Sequence, residues 1–164
     1  MPVYAIKANA RKASADTIRG KGEDGKVISH GLRTFEVVAS SSSSTIDFGD
    51  IPSNARLAGG SRLYWDDLAT SGAPTLDMGF FAVDVNITSD DDAINDGLAL
   101  SSATTANVGV QVVKDFANFG KMAWELVSGQ TTDPKGFLKI KGTIRDAGTT
   151  ATGTVALDLY YTID

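Results

Sequence analysis

The chain has 164 residues, of which 42% are hydrophobic and 21% charged, and its formal net charge is −5. This length fits one domain with a single core, because domains cluster at about 100–150 residues. The absence of cysteine excludes disulfide bridges, thiolate metal sites and a cysteine nucleophile. The acidic balance disfavours general affinity for nucleic acid, and no apolar stretch reaches the ~18 residues that a membrane helix needs. The N-terminus also lacks the apolar segment of a secretory signal.

The first 26 residues are basic although the chain as a whole is acidic. Six basic residues against three acidic ones give this segment a net charge of +3 and leave −8 for the remainder. It is either a solvated arm or an arm that lies on an acidic partner surface. We therefore divide the chain into a basic N-terminal arm, 1–31, and a domain, 32–164. The candidate partner contacts in the arm are Lys7, Arg11, Lys12, Arg19, Lys21 and Lys26.

A period of two dominates the domain and predicts strands, because alternate side chains of a strand face opposite sides. It is clearest in "GTVALDLYYTID", where Val155, Leu157, Leu159, Tyr161 and Ile163 share one face. Further strands are predicted over 32–40, 45–48, 55–64, 75–85, 107–113, 122–127 and 137–144. About eight short strands with glycine-rich turns predict an all-β fold, a jelly-roll-like β-sandwich.

Two segments depart from this pattern and predict short helical turns. Ser89 is suited to cap a helix, and Asp90, Asp91 and Asp92 would then lie in its first turn. Ala93, Ile94, Leu98 and Leu100 would form its inner face, although Gly97 weakens the prediction. A second turn is predicted in "KDFANFGK".

The serine run from Ser40 to Ser44 and the following "FGDIPSN" are interpreted as strand and turn punctuation. Short hydroxyl side chains bond readily to nearby backbone. Pro52 fixes its own φ and biases Ile51 toward extended geometry. In "TLDMGFF", Asp77 and Gly79 interrupt an apolar run, and Gly79 allows a bulge or a close backbone approach.

No motif in the chain predicts catalysis, a bound cofactor or a metal site. A serine nucleophile needs a base, and His30 is the one histidine, with no GxSxG motif anywhere. Asp66 and Asp67 are adjacent, so on a strand they would face opposite sides. The run from Asp90 resembles a calcium loop but lacks glycine at the sixth position, which leaves only an irregular calcium site open. We expect no enzymatic activity.

Two stretches carry a resemblance to a known class of proteins. "IDFGDIPSNARLAGGSRLYWDDLATSGAPTLDMGFF" resembles small structural proteins of tailed bacteriophages, in which a strand ends in "lG.IPsnARi" and "tlDiGl" opens another. "GTIRDAGTTATGTVALDLYYTID" resembles the C-terminal half of such proteins. The resemblance covers most of residues 32–164 and rests on turn and core signatures.

The resemblance implies a virion structural protein, made in the host cytoplasm and located on the capsid surface. The specific role it implies is a head decoration or cement protein that contacts the major capsid protein, with the trimeric state common in this class. Alternatives are a tail, baseplate or head-fibre component, or a jelly-roll glycan-binding module. The glycan-binding alternative would use Tyr64 and Trp65 as an aromatic shelf.

Overall fold

The computed structural model describes residues 5–7, 28–68, 72–102, 110–111, 116–118, 120–145 and 151–163. The strands are β1 (Ala5–Lys7), β2 (Ile28–Ser40), β3 (Thr45–Pro52), β4 (Ala55–Leu57), β5 (Arg62–Trp65), β6 (Thr75–Ala82), β7 (Asp90–Ala99), β8 (Val110–Gln111), β9 (Phe137–Arg145) and β10 (Ala151–Ile163). A 3₁₀ turn covers Phe116–Asn118, and the helix α1 covers Ala123–Leu126. No helix in these ranges is long and apolar enough to cross a membrane.

The strands form two five-stranded sheets that face each other. Sheet A has the order β1-β3-β9-β6-β7, and sheet B has the order β2-β10-β5-β8, with β4 also paired to β10. Neighbouring strands are antiparallel except β1 and β3, which are parallel. The predicted all-β, jelly-roll-like sandwich is confirmed.

The core fills the space between the two sheets. Phe35 on β2 and Phe48 on β3 meet there edge to face, with ring centroids 5.0 Å apart. Edge-to-face packing is a preferred arrangement of aromatic rings, and it joins sheet B directly to sheet A. The fully buried residues around this pair come from both sheets and include Ile46, Ile51, Leu63, Leu76, Met78, Phe80, Leu138 and Ile140.

β10 is the strand on which sheet B is built. It pairs with β2 on one side and with β4 and β5 on the other. The predicted alternation is confirmed, because Val155, Leu157, Leu159 and Tyr161 are buried while the residues between them are half-buried. The large apolar side chains of this strand therefore all face the core.

The helix predicted after Ser89 is wrong: this segment is strand β7, paired with β6. Ile94, Leu98 and Leu100 are buried. They are spaced by four and two residues, a pattern that fits a strand face as well as a helix face. Gly97 has φ +63°, which is outside helical geometry. Two register irregularities between β6 and β7 interrupt the simple alternation that would have identified a strand.

Two predicted strands also differ from those observed. The segment 122–127 contains α1, because the Glu125 carboxylate accepts a hydrogen bond from the Met122 amide at 2.6 Å and closes a helical turn. The segment 55–64 is divided into β4 and β5 by a turn, in which the Ser61 amide donates to the Ala58 carbonyl at 2.9 Å. Of the segment 107–113, only the two residues of β8 are described.

The interpretation of the serine run as a turn is confirmed. Ser41 to Ser43 connect β2 to β3, and Ser43 has φ +73°. The Ser43 amide donates to the Ile144 carbonyl at 2.7 Å, which ties the turn to β9. Ser40 and Ser44 flank this turn and are fully buried, so these small side chains serve close packing.

Gly79 is a point of close backbone approach, as predicted. An added Cβ would lie 1.9 Å from the Asp90 carbonyl oxygen. The backbone of β7 can therefore approach β6 this closely only because residue 79 has no side chain. At Gly60 the nearest atom to an added Cβ belongs to Tyr160 at 3.8 Å, an ordinary contact distance. The two glycines therefore form a matched pair for substitution.

We expect Leu159→Ala to lower the free energy of unfolding by about 2–5 kcal/mol, because it removes buried methyl groups and leaves a cavity. Val83→Ala removes methyl groups from a side chain that is 46% exposed, and should cost less than about 0.5 kcal/mol. Urea unfolding of both variants measures the difference. Equal effects would show that the faces of sheet B are misassigned.

We also expect Gly79→Ala to destabilise the domain by at least ~2 kcal/mol, since backbone rather than a movable side chain blocks the new methyl group. Gly60→Ala should change stability by less than about 0.5 kcal/mol. The melting temperatures of the two variants test this directly. A Gly79→Ala protein that melts like the unmodified chain would contradict the close approach of the β7 backbone to Gly79.

Candidate functional site

His30 lies on β2 in a half-buried polar cluster between the edges of the two sheets. Its Nε2 accepts a hydrogen bond from the Arg33 guanidinium at 3.2 Å, and its ring lies 6.2 Å from that of Tyr161. Burial lowers the pKa of His30 below 6.5, and the charge of Arg33 lowers it further, while Asp50 opposes both effects. Because the Arg33 guanidinium can only donate hydrogen bonds, Nε2 of His30 must be unprotonated in order to accept one. This arrangement orients the histidine against a cation.

The same cluster depends on a glycine in the facing sheet. Gly49 on β3 has φ +104°, and an added Cβ would lie 1.9 Å from Arg33 Nη1. Burial lowers the pKa of Arg33, and the charges of Asp47 and Asp50 raise it. These carboxylates also hold Lys139, whose Nζ lies 2.8 Å from Asp47 and 3.5 Å from Asp50.

The acidic residues of β7 are used as structural contacts. Asp91 pairs with Arg145, which also lies 2.7 Å from the buried carboxylate of Asp77. The second oxygen of Asp77 accepts from the Gly97 amide at 2.9 Å.

Asp90 and Asp92 continue this acidic stretch. Asp90 accepts from the Ser128 amide at 2.6 Å. The pKa of Asp92 is raised, chiefly by its hydrogen bond with Asp90 and then by burial and neighbouring charges. The described residues contain no group of three or more His, Cys, Asp or Glu arranged to hold a metal ion.

The first of the two adjacent acidic residues after β5 is bonded to the backbone of β10. Asp66 accepts from the Thr154 amide at 3.1 Å, and its own amide donates to the Thr154 carbonyl at 2.9 Å. These bonds tie the end of β5 to β10. Asp67 is exposed and follows on the chain.

The proposed aromatic shelf is wrong with respect to Trp65. Trp65 is buried, and its indole nitrogen donates to the Ser102 carbonyl at 2.8 Å. Tyr64 is half-buried and faces the other side of β5. Neighbouring strand residues point in opposite directions, so the two rings cannot form one surface.

The predicted arm contacts fall largely outside the described residues. Lys7 lies in β1, where the backbone register places it opposite Asp47. The remaining candidates, Arg11, Lys12, Arg19, Lys21 and Lys26, all lie outside the described ranges. The six candidate contacts therefore stay a prediction.

Exposed apolar side chains are a feature that the sequence analysis missed. Four large ones stand out among the described residues, and they form two groups: Leu32 and Val38 on β2, and Val83 and Phe137 at one end of sheet A. The available signal was in β2, where apolar residues occupy both faces of the strand. A period-two pattern assigns apolar residues to a buried face. It cannot show which of two apolar faces is exposed.

Comparison with known proteins supports the fold. No protein-family model matches the chain, and the curated proteins provide no match. Among solved structures, a chain of the capsid of Ralstonia phage GP4 is similar, with a TM-score of 0.60, 21% sequence identity, and 98% of each chain covered. The two chains therefore share their all-β fold over nearly their whole lengths.

The lowered pKa of His30 predicts a pH dependence of stability. Below about pH 6.5 the unfolded chain binds a proton that the folded chain binds only at lower pH. The free energy of unfolding therefore has its full value above this pH and falls as the pH decreases. NMR titration of the single imidazole should give a pKa below 6.5. Arg33→Gln should raise that pKa without restoring the ordinary value, because the burial remains. A pKa at or above 6.5 in the unmodified protein would contradict the described cluster.

Proposed function

We propose that this protein is a structural component of a bacteriophage virion. The observation that carries the proposal is the match to a phage capsid chain over 98% of both chains, with a TM-score of 0.60. The sequence motifs that resemble tailed-phage structural proteins point in the same direction, and they belong to turns and core strands that the fold uses. A role without catalysis is supported by the polar clusters, whose described groups tie strands and loops to each other.

The specific role we propose is a decoration or cement protein that binds the outer surface of the assembled head. Its partner would be the major capsid protein, and binding would depend on shape and charge complementarity. The basic arm supports this, because its net charge of +3 contrasts with −8 on the rest of the chain. An acidic shell surface would attract the arm while repelling the body of the domain.

We further propose that the protein acts as a closed homo-oligomer, specifically a trimer. Closed symmetry satisfies every interface of a small oligomer and prevents open-ended assembly. A trimer would present three arms to the shell at once, so that attachment is strengthened by effective concentration without additional contacts in each copy.

A tail, baseplate or head-fibre component is the second candidate within the virion, and the same fold match supports it. The glycan-binding module is less favoured, because Trp65 is buried and bonded to the backbone of Ser102. A carbohydrate site requires an accessible ring, and this ring is in the core.

The arm hypothesis predicts a loss of binding when residues 1–26 are deleted. Particles that lack this protein are mixed with the full chain or the deleted chain, and co-sedimentation measures binding. Binding of the full chain should weaken as salt rises, because exposed charges are screened over about 8–10 Å at physiological ionic strength. Melting of the deleted chain should remain cooperative. Undiminished binding by the deleted chain would remove the arm from the mechanism.

A charge-matched pair separates arm charge from the loss of β1. Lys12→Gln/Lys21→Gln removes two arm charges and leaves 5–7 intact, whereas Lys121→Gln/Lys135→Gln removes two charges from exposed positions of the domain. The first variant should bind more weakly than the second. Equal weakening in both would attribute the attraction to net charge and contradict a specific arm.

A further inference from the structure

β2 is an edge strand with an exposed apolar pair. Within the described residues it forms the end of sheet B, with β10 as its paired neighbour. Leu32 and Val38 are each 63% exposed on its outer face. Edge strands carry backbone donors and acceptors that can pair with another strand.

The exposed segment has the composition of a self-pairing strand. Residues 32–38 read LRTFEVV, with one basic residue, one acidic residue and no glycine or proline. Segments of six or seven residues with high β-propensity, low net charge and no proline are those that pair with copies of themselves. Positive φ at Gly31 and Ala39 bounds the segment on both sides, so the pairing length is limited to these seven residues.

The other long edge of the sandwich is protected, which makes β2 exceptional. β7 ends sheet A, and it carries Asp90, Asp91, Asp92 and Asp96 together with a positive φ at Gly97. Charges and irregular geometry are the means by which natural edges avoid pairing. Two copies of β7 would bring several carboxylates together, whereas Glu36 is the one charged residue among 32, 34, 36 and 38 on the outer face of β2.

The spacing of the exposed pair is compatible with a second copy of the same strand at this edge. Leu32 and Val38 lie three residues on either side of Phe35. An antiparallel partner strand centred on the same residue would place each Leu32 beside Val38 of the partner subunit, and Thr34 beside Glu36 of the partner subunit. Such a contact is self-complementary, as a two-fold interface requires.

We propose that two copies of this protein associate through antiparallel pairing of β2 with β2, centred on Phe35. The pairing gives hydrogen-bond partners to the backbone groups on the open edge of β2. It also buries the exposed apolar pair of each copy against that of the other. It extends sheet B across the two-fold axis into one continuous sheet. The contact is two-fold, and it uses a different surface from the contact of the proposed trimer. The pairing does not depend on the proposed attachment to a phage head.

Engineered cysteines test the register, because the natural chain contains no thiol. Opposite residues of an antiparallel pair have Cα atoms about 4.5–5.5 Å apart, within the range that a disulfide spans. The thiols of two Leu32→Cys chains would instead be about 20 Å apart, six residues along the strands. A size-tagged Leu32→Cys chain and an untagged Val38→Cys chain are mixed and mildly oxidised.

The expected product is the mixed covalent dimer alone, reversed by reductant. Each variant oxidised by itself should remain a single chain, as should Val83→Cys, whose side chain is 46% exposed on the other sheet. Dimers of one variant with itself, or no mixed dimer, would overturn the proposal. Protection of both thiols within a single chain would show that another part of the same chain covers β2, and would also overturn it.

Charge substitutions supply a second measurement that needs no covalent bond. Leu32→Lys/Val38→Lys places like charges opposite each other in the proposed register, whereas Leu32→Glu/Val38→Lys places opposite charges there. Sedimentation equilibrium should show a lower average mass for the first variant than for the second, because the first variant loses the association through β2. Equal masses for both variants would contradict the pairing.

Discussion

The contact between Phe35 and Phe48 is the one on which the sandwich depends, because it joins the end strand β2 of sheet B directly to β3 of sheet A. The rings meet edge to face at 5.0 Å, and both side chains are fully buried. The neighbouring strand β9 leaves room for this pair by having a glycine at 142. An added Cβ there would lie 3.0 Å from Phe48 Cε2 and 2.9 Å from Leu76 Cδ1. Sheet spacing, aromatic geometry and the glycine in β9 are therefore aspects of one packing arrangement.

Around this core, carboxylates hold the connections in place. Asp84 accepts from the Phe137 amide at 2.8 Å, Asp133 accepts from the Ser53 hydroxyl at 2.6 Å, and Asp77 accepts from the Gly97 amide at 2.9 Å. Hydrogen bonds to ionised acceptors are stronger than neutral ones, so few are needed to hold a loop. Part of the acidity of the chain thus serves its own architecture, and the remaining acidity is available to repel other acidic surfaces.

The element that the sequence predicted best is β10. Its residues alternate between buried and half-buried from Val155 to Tyr161, as the period-two pattern predicts, and Ile163 on the same face is half-buried. β7 was misread because its buried residues fit two periodicities and its bulges depend on the approach of Asp90 to Gly79, which is a tertiary contact. α1 was missed because Glu125 closes a turn of only four residues, too short for a periodic signal.

The candidate site was less predictable than the fold, for a related reason. Trp65 and Tyr64 are adjacent in sequence, yet one enters the core and the other faces outward. The exposure of Leu32 and Val38 depends on which face of β2 is turned away from the core, and apolar residues occupy both faces of this strand. The predicted arm contacts other than Lys7 lie outside the described residues, so their role stays a prediction.

The position of β10 also sets the order in which the molecule can form. Three strands from the first half of the sequence, β2, β4 and β5, take their pairing from residues 151–163. A nascent chain that contains only the strands before β10 cannot form sheet B. The core around Phe35 is then incomplete. Such distant pairing makes folding slow compared with local contacts. Formation of sheet B is therefore postponed until β10 has been made, and a nascent chain that stops before β10 cannot present the surface of that sheet to a partner.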